Sequence, residues 1–89
     1  MTSRTTARFR KALAALPAHV QERARLAFQQ FRQDPTHPSL RFKQVHTTQP
    51  IFSARVGLGY RALAVRDQDV YIWFWIGTHG DYDRLLKEL

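Results

Sequence analysis

Residues 70–76 read VYIWFWI, seven apolar residues in a row, rich in aromatic and β-branched side chains. A run of this kind is a strand with apolar side chains on both faces, and it belongs at the buried centre of a sheet. It falls far short of the roughly 20 residues that a membrane helix needs, and no apolar run in the chain is longer. The rest of the 89 residues must be arranged around it. A chain of this length makes one domain, residues 1–89, with one modest core. A cofactor-binding domain joined to a substrate domain is excluded.

Upstream the rhythm is helical. Phe9, Leu13 and Leu16 recur at three- and four-residue spacing, with Arg4, Arg8 and Lys11 opposite. This predicts a short helix over roughly residues 6–15, with Thr5 or Thr6 as N-cap and residues 1–6 otherwise frayed. Pro17 stops it and can start the next helix. Val20, Ala24, Ala27, Phe28 and Phe31 mark that second helix, roughly 18–33, which Asp34-Pro35 ends. Two helices joined at a proline form an αα-hairpin.

After Pro38 the period shortens. Leu40–His46 alternates loosely and reads as a strand, with a turn at Thr47–Pro50. Phe52, Ala54 and Val56 alternate with Ser53 and Arg55. Gly57-Leu58-Gly59 is a tight connection able to take positive φ. Tyr60–Arg66 is the next strand, and Asp67-Gln68-Asp69 turns into the apolar run. Gly77–Gly80 is read as leaving the sheet, and Asp81–Leu89 as a terminal helix. The expected fold is α+β: an N-terminal αα-hairpin on one face of a small antiparallel sheet of three to four strands, with a short C-terminal helix. The other sheet face is expected to lie open, as the place for a partner.

Lys and Arg outnumber Asp and Glu by fourteen to seven, a net charge of +7, and eleven of the fourteen are Arg. Arginine binds phosphate through a flat fork, so the bias favours a phosphate-bearing or strongly acidic partner. The chain has no cysteine, which excludes disulfides, thiolate metal sites and a cysteine nucleophile, and fits a reducing compartment. The histidines at 19, 37, 46 and 79 form no His-x₃-His or His-Glu-x-x-His unit, so no metal site is expected. No apolar segment follows the N-terminal charges, so no secretory signal is expected.

Three stretches now stand in order: HPSLRFK (His37–Lys43), FSARVGLGYRALAV (Phe52–Val65) and WFWIGTHGDYDRLL (Trp73–Leu86). Together, after an αα-hairpin, they resemble the RelE/ParE superfamily of toxins from bacterial type II toxin–antitoxin systems. The resemblance covers about residues 8–88. The Gly-x-His tail is similar to that of YafQ-like and HigB-like members. Members typically begin with a β-strand, for which residues 1–6 are short and polar.

The resemblance implies a metal-free endoribonuclease that cuts mRNA on the ribosome. In such enzymes the messenger's 2′-OH attacks the adjacent phosphate. That step needs a base, an acid and cations for the phosphorane charge. Arg61 matches the family's strand arginine that stabilises the transition state, and His79 matches the tail histidine that transfers protons. Lys43, Arg41, Arg55, His46 and Tyr82 are the candidates for holding substrate. The ordinary structural roles stand beside these: Arg61 paired with Asp83, His79 and Tyr82 anchoring the last helix, Lys43 guarding a sheet edge, His37 and His46 as surface loop residues. The aromatic strand is read as core rather than as a base-stacking platform.

The implied partners are an acidic antitoxin and ribosome-bound mRNA in the cytoplasm, with no membrane and no cofactor. Two alternatives remain open within the same fold. One is a ParE-like inhibitor of DNA gyrase without nuclease activity. The other is a non-catalytic binder of nucleic acid or antitoxin.

Overall fold

The structure is a computed structural model and describes residues 2–89. The chain runs β1 (Thr2–Thr5), α1 (Ala7–Ala14), α2 (Ala18–Gln33), a 3-10 turn (Pro38–Leu40), β2 (Lys43–Gln44), β3 (Ile51–Arg55), β4 (Tyr60–Asp67), β5 (Val70–Thr78) and α3 (His79–Glu88). The strands form one sheet in the order β1-β5-β4-β3-β2, with β1 parallel to β5 and every other pair antiparallel. The α+β class, the hairpin and the terminal helix are as expected. The sheet has five strands rather than three or four, and it is mixed rather than wholly antiparallel.

The extra strand is β1, where fraying was expected. Thr2–Thr5 pairs with Val70–Trp73. Thr2 N–H donates to Asp69 C=O and Thr6 N–H to Trp73 C=O, both at 3.1 Å. The Trp73 indole N–H reaches Ser3 Oγ at 3.4 Å. An edge strand of this kind is held by backbone groups, so a polar sequence suffices and leaves no apolar alternation to read. The expectation for Met1 itself lies outside the described residues.

The hairpin follows its local signals. Thr6 Oγ1 accepts the Phe9 N–H at 3.0 Å and caps α1. The observed limits of α2 coincide with those set by Pro17 and by Asp34-Pro35. Beyond α2, Asp34 accepts from the Thr36 hydroxyl at 2.6 Å and from its N–H at 3.0 Å. Those bonds, the hydroxyl's first, hold the Asp34 carboxyl below its ordinary range. The strand expected over Leu40–His46 is mostly absent: Pro38–Leu40 coil into the 3-10 turn and only Lys43–Gln44 pair, with β3.

The hairpin face of the sheet carries the larger core. Phe9, Ala24 and Phe31 meet Ala54, Val56, Ala62, Ala64, Tyr71, Trp73 and Ile76. Its centre is a set of edge-to-face rings: Phe31 lies 5.6 Å from Tyr71 and 5.3 Å from Trp73, and Phe28 lies 5.1 Å from Trp73. The opposite face is not open. There Ile51, Leu63 and Tyr82 form a second cluster with Phe74, Trp75, Leu85 and Leu86, so α3 covers it. The register explains how one strand serves both. Leu63 opposes Trp75 while Ala64 opposes Trp73, which leaves Phe74 as an extra residue and sends Phe74 and Trp75 to the α3 side.

Candidate active site

The last strand and the last helix join without a loop. β5 runs to Thr78, and α3 begins at His79, two residues before the expected start. Thr78 Oγ1 accepts the Asp81 N–H at 3.2 Å and caps the helix. His79 N–H donates to Gly59 C=O at 2.8 Å, which ties the β5–α3 junction to the β3–β4 turn. This junction fixes the position of the His79 ring.

The turn is glycine-dependent. Gly57 and Gly59 have φ of +61° and +84°. A Cβ on Gly57 would stand 2.5 Å from Arg23 Cδ, so the turn is also pressed against α2. Arg55 and Arg61, at the two ends of this turn, are direct cross-strand partners. Directly opposed residues share a face, and two like charges there repel. Arg41 follows the 3-10 turn with φ 45° and ψ 42°, a left-handed conformation that costs a non-glycine residue about 1 kcal/mol.

These groups surround a cleft of about 260 Å³ lined by Arg41, Arg55, Gly57, Gly59, Tyr60, Arg61 and His79. Three guanidiniums and one imidazole face it, and none of the residues that line it is acidic. Arg55 Nε donates to Gly57 C=O at 3.2 Å. Arg61 Nε donates to His79 Nδ1 at 3.4 Å, and its guanidinium carbon stands 5.4 Å from the centre of the Tyr82 ring. Arg61 Nη1 is buried with no hydrogen-bond partner among the described residues. Asp83, behind His79, places Oδ2 3.4 Å from His79 Nε2. It does so in place of pairing with Arg61.

Of the seven sequence candidates, the structure brings Arg41, Arg55, Arg61 and His79 together. Tyr82 is beneath them, buried, with its hydroxyl donating to the buried Ser53 Oγ at 3.1 Å. Its ring is a floor for Arg61 and is not presented to solvent. Lys43 is exposed on β2 opposite Ser53 and lies outside the cleft lining. His46 lies elsewhere: Nδ1 accepts from Thr48 N–H at 3.2 Å and Gln49 N–H at 3.0 Å, and Nε2 meets Leu89 O at 3.1 Å. His37 Nδ1 meets Ser39 Oγ at 2.7 Å and caps the 3-10 turn. Sequence reasoning did not find the contact between Asp83 and His79. The four-residue spacing on one helix was the available signal.

The model of the ParE-like toxin domain matches residues 18–84, more than half of the chain. The chain belongs to the ParE-like toxin family. That places it in the RelE/ParE toxin superfamily, and solved structures share the fold of this ParE-like toxin domain. The RelB–RelE antitoxin–toxin complex of Methanococcus jannaschii aligns with a TM-score of 0.72 at 20% identity, over 91% of this chain and 96% of that one. YafQ of E. coli strain BL21(DE3) aligns with a TM-score of 0.71 at 8% identity, over 90% and 94%. The isolated RelE toxin of E. coli aligns with a TM-score of 0.66 at 13% identity, over 99% and 98%. At these identities the likeness is one of fold. A search of curated protein sequences finds no significant match. Among the described residues, no helix is long and apolar enough to cross a membrane.

Proposed function

We propose that the chain is the toxin of a type II toxin–antitoxin pair and an endoribonuclease that cuts ribosome-bound mRNA. The observation that carries this reading is the cleft itself, with Arg41, Arg55, Arg61 and His79 around it and no acidic residue in its lining. An opposed arginine pair, a third arginine in a left-handed conformation and a buried guanidinium nitrogen without a partner are each unfavourable alone. A bound phosphodiester relieves the repulsion and pairs the free nitrogen, because arginine pairs with phosphate oxygens bidentately, while the backbone turn at Arg41 brings a third guanidinium to it. In the proposed step the 2′-oxygen bonds to phosphorus and the bond from phosphorus to the 5′-oxygen breaks. His79 takes the 2′-OH proton, and the 5′-oxygen receives a proton from water. Arg61, with Arg41 and Arg55, stabilises the phosphorane.

The same surface suits an acidic antitoxin. A groove of about 390 Å³ adjoins the cleft, shares Arg55 and Gly57 with it, and is also lined by Arg23, Leu26 and Leu58. Leu26 and Leu58 are exposed. An acidic segment with apolar side chains complements this lining and would screen the cleft. The solved relative from Methanococcus jannaschii is itself an antitoxin–toxin complex.

The test is induced expression of the wild type, Arg61→Ala and His79→Ala, with total RNA mapped for new 5′ ends. Growth arrest with new ends inside coding regions, lost in both variants, is the expected result. Arrest without new ends moves the reading to gyrase inhibition, which the ParE-like family keeps in view. Soluble protein without arrest leaves a binding module.

A further inference from the structure

The state of the His79 ring is set by its two neighbours. The ring is bracketed. Arg61 Nε stands 3.4 Å from Nδ1 and Asp83 Oδ2 stands 3.4 Å from Nε2. A guanidinium stays protonated in proteins and can only donate, so Nδ1 must present a lone pair. The ring proton then lies on Nε2, toward a carboxylate that can only accept it. Both contacts come from fixed elements. Arg61 is on β4 above the Tyr82 ring, and Asp83 is one turn along α3 from His79.

Asp83 is not otherwise engaged. Its only ion pair among the described residues is with His79, although three arginines line the neighbouring cleft. The other carboxylate in this part of α3, Asp81, is held by Arg84. Both ring partners are about half exposed, His79 at 50% and Asp83 at 56%, so the pair contributes little to stability as a surface ion pair. Its geometry matters more. A carboxylate on one imidazole nitrogen fixes the tautomer and leaves the other nitrogen as the one that exchanges protons.

We propose that Asp83 is a positioning residue for His79: it holds the ring as the Nε2–H tautomer when the Arg61 guanidinium turns from Nδ1 to a bound phosphate, and so leaves the freed Nδ1 lone pair as the acceptor of the substrate proton. The kinetic consequence rests on the endoribonuclease reading. The structural one does not.

The experiment uses the full chain with ¹⁵N-labelled histidine, as wild type, Asp83→Asn and Asp83→Glu. The side-chain ¹⁵N shifts of His79, assigned by their loss in His79→Gln, report which ring nitrogen carries the proton. Wild type and Asp83→Glu are expected to show protonated Nε2 and unprotonated Nδ1. Arg61 also favours a lone pair on Nδ1, so the substitution is read in the Arg61→Ala chain, where Asp83 is expected to keep the proton on Nε2 and Asp83→Asn, nearly isosteric, to give a mixture of tautomers. On mRNA, Asp83→Asn with Arg61 intact lowers kcat about tenfold with KM unchanged. An unchanged tautomer on Asp83→Asn in the Arg61→Ala chain overturns the proposal, whatever the effect on thermal stability or rate. A changed tautomer with RNA cleavage unaltered overturns the catalytic half. A changed tautomer in a chain whose wild type cleaves no RNA supports the positioning role and rejects the nuclease reading instead.

Discussion

On the hairpin face of the sheet, Tyr71 and Trp73 point into a layer of rings from α1, α2 and the segment before β2. On the α3 face, the same strands give way along their length from Ile51, through the level of Ser53, Leu63 and Trp75 packed with Tyr82, to Arg55, Arg61 and His79. The first face is apolar from end to end and its groups are mutually satisfied. The second grades from a small core into a cluster of like charges. The contrast shows how an 89-residue chain holds an unfavourable site: it concentrates burial on one face and spends little of it beneath the other.

The largest effect should come from the hairpin face. Trp73 is 1% exposed at the centre of the ring layer, and Trp73→Ala is expected to cost about 3–5 kcal/mol in urea or guanidinium unfolding. That is a large share of the stability of a small domain. A loss under about 1 kcal/mol would show that the ring layer is not where stability resides. An intermediate effect belongs to the gradient on the other face. Tyr82→Phe keeps the ring under Arg61 but strands the buried Ser53 hydroxyl, for an expected loss of about 1–2 kcal/mol in the same measurement. No change would mean that the Tyr82–Ser53 bond contributes nothing to the α3 side.

The smallest effect should be opposite in sign. Arg55→Ala removes one member of the opposed pair, and the unfolding free energy is expected to hold or rise by a few tenths of a kcal/mol. The same variant should reduce the salt dependence of RNA binding by about one charge. A clear loss of stability would break the contrast between the faces, because it would make the arginine cluster structural.

How much of this was legible depended on the kind of residue. The limits of α2 were written in Val20, Phe28 and Phe31 and in the flanking prolines. The β3–β4 turn was written in Gly57 and Gly59. The VYIWFWI run announces a strand inside the sheet but not its place: β4 is the middle strand, and β5 lies between it and the edge strand β1. Two apolar faces need two covers, and α3 is the second. β1 was illegible because edge pairing uses backbone groups that every polar residue shares. Loose alternation over Leu40–His46 suggests a longer strand than the two residues of β2, because alternation cannot register the 3-10 turn that Pro38 begins. Among the site candidates, Arg61 and His79 stood out through a resemblance. The structure then sorted the remainder: Arg41 and Arg55 into the cleft, Tyr82 beneath it, Lys43 and His46 away from it.

By itself the sequence determined the helical hairpin, the apolar strand β5 and the surplus of arginine, because periodicity, proline, glycine and net charge act locally or as sums. Tertiary structure alone decided which arginines meet. Polar side chains carry no period that marks a shared face. The strand register, the bulge at Phe74 and the loop-free junction from Thr78 to His79 decide it instead.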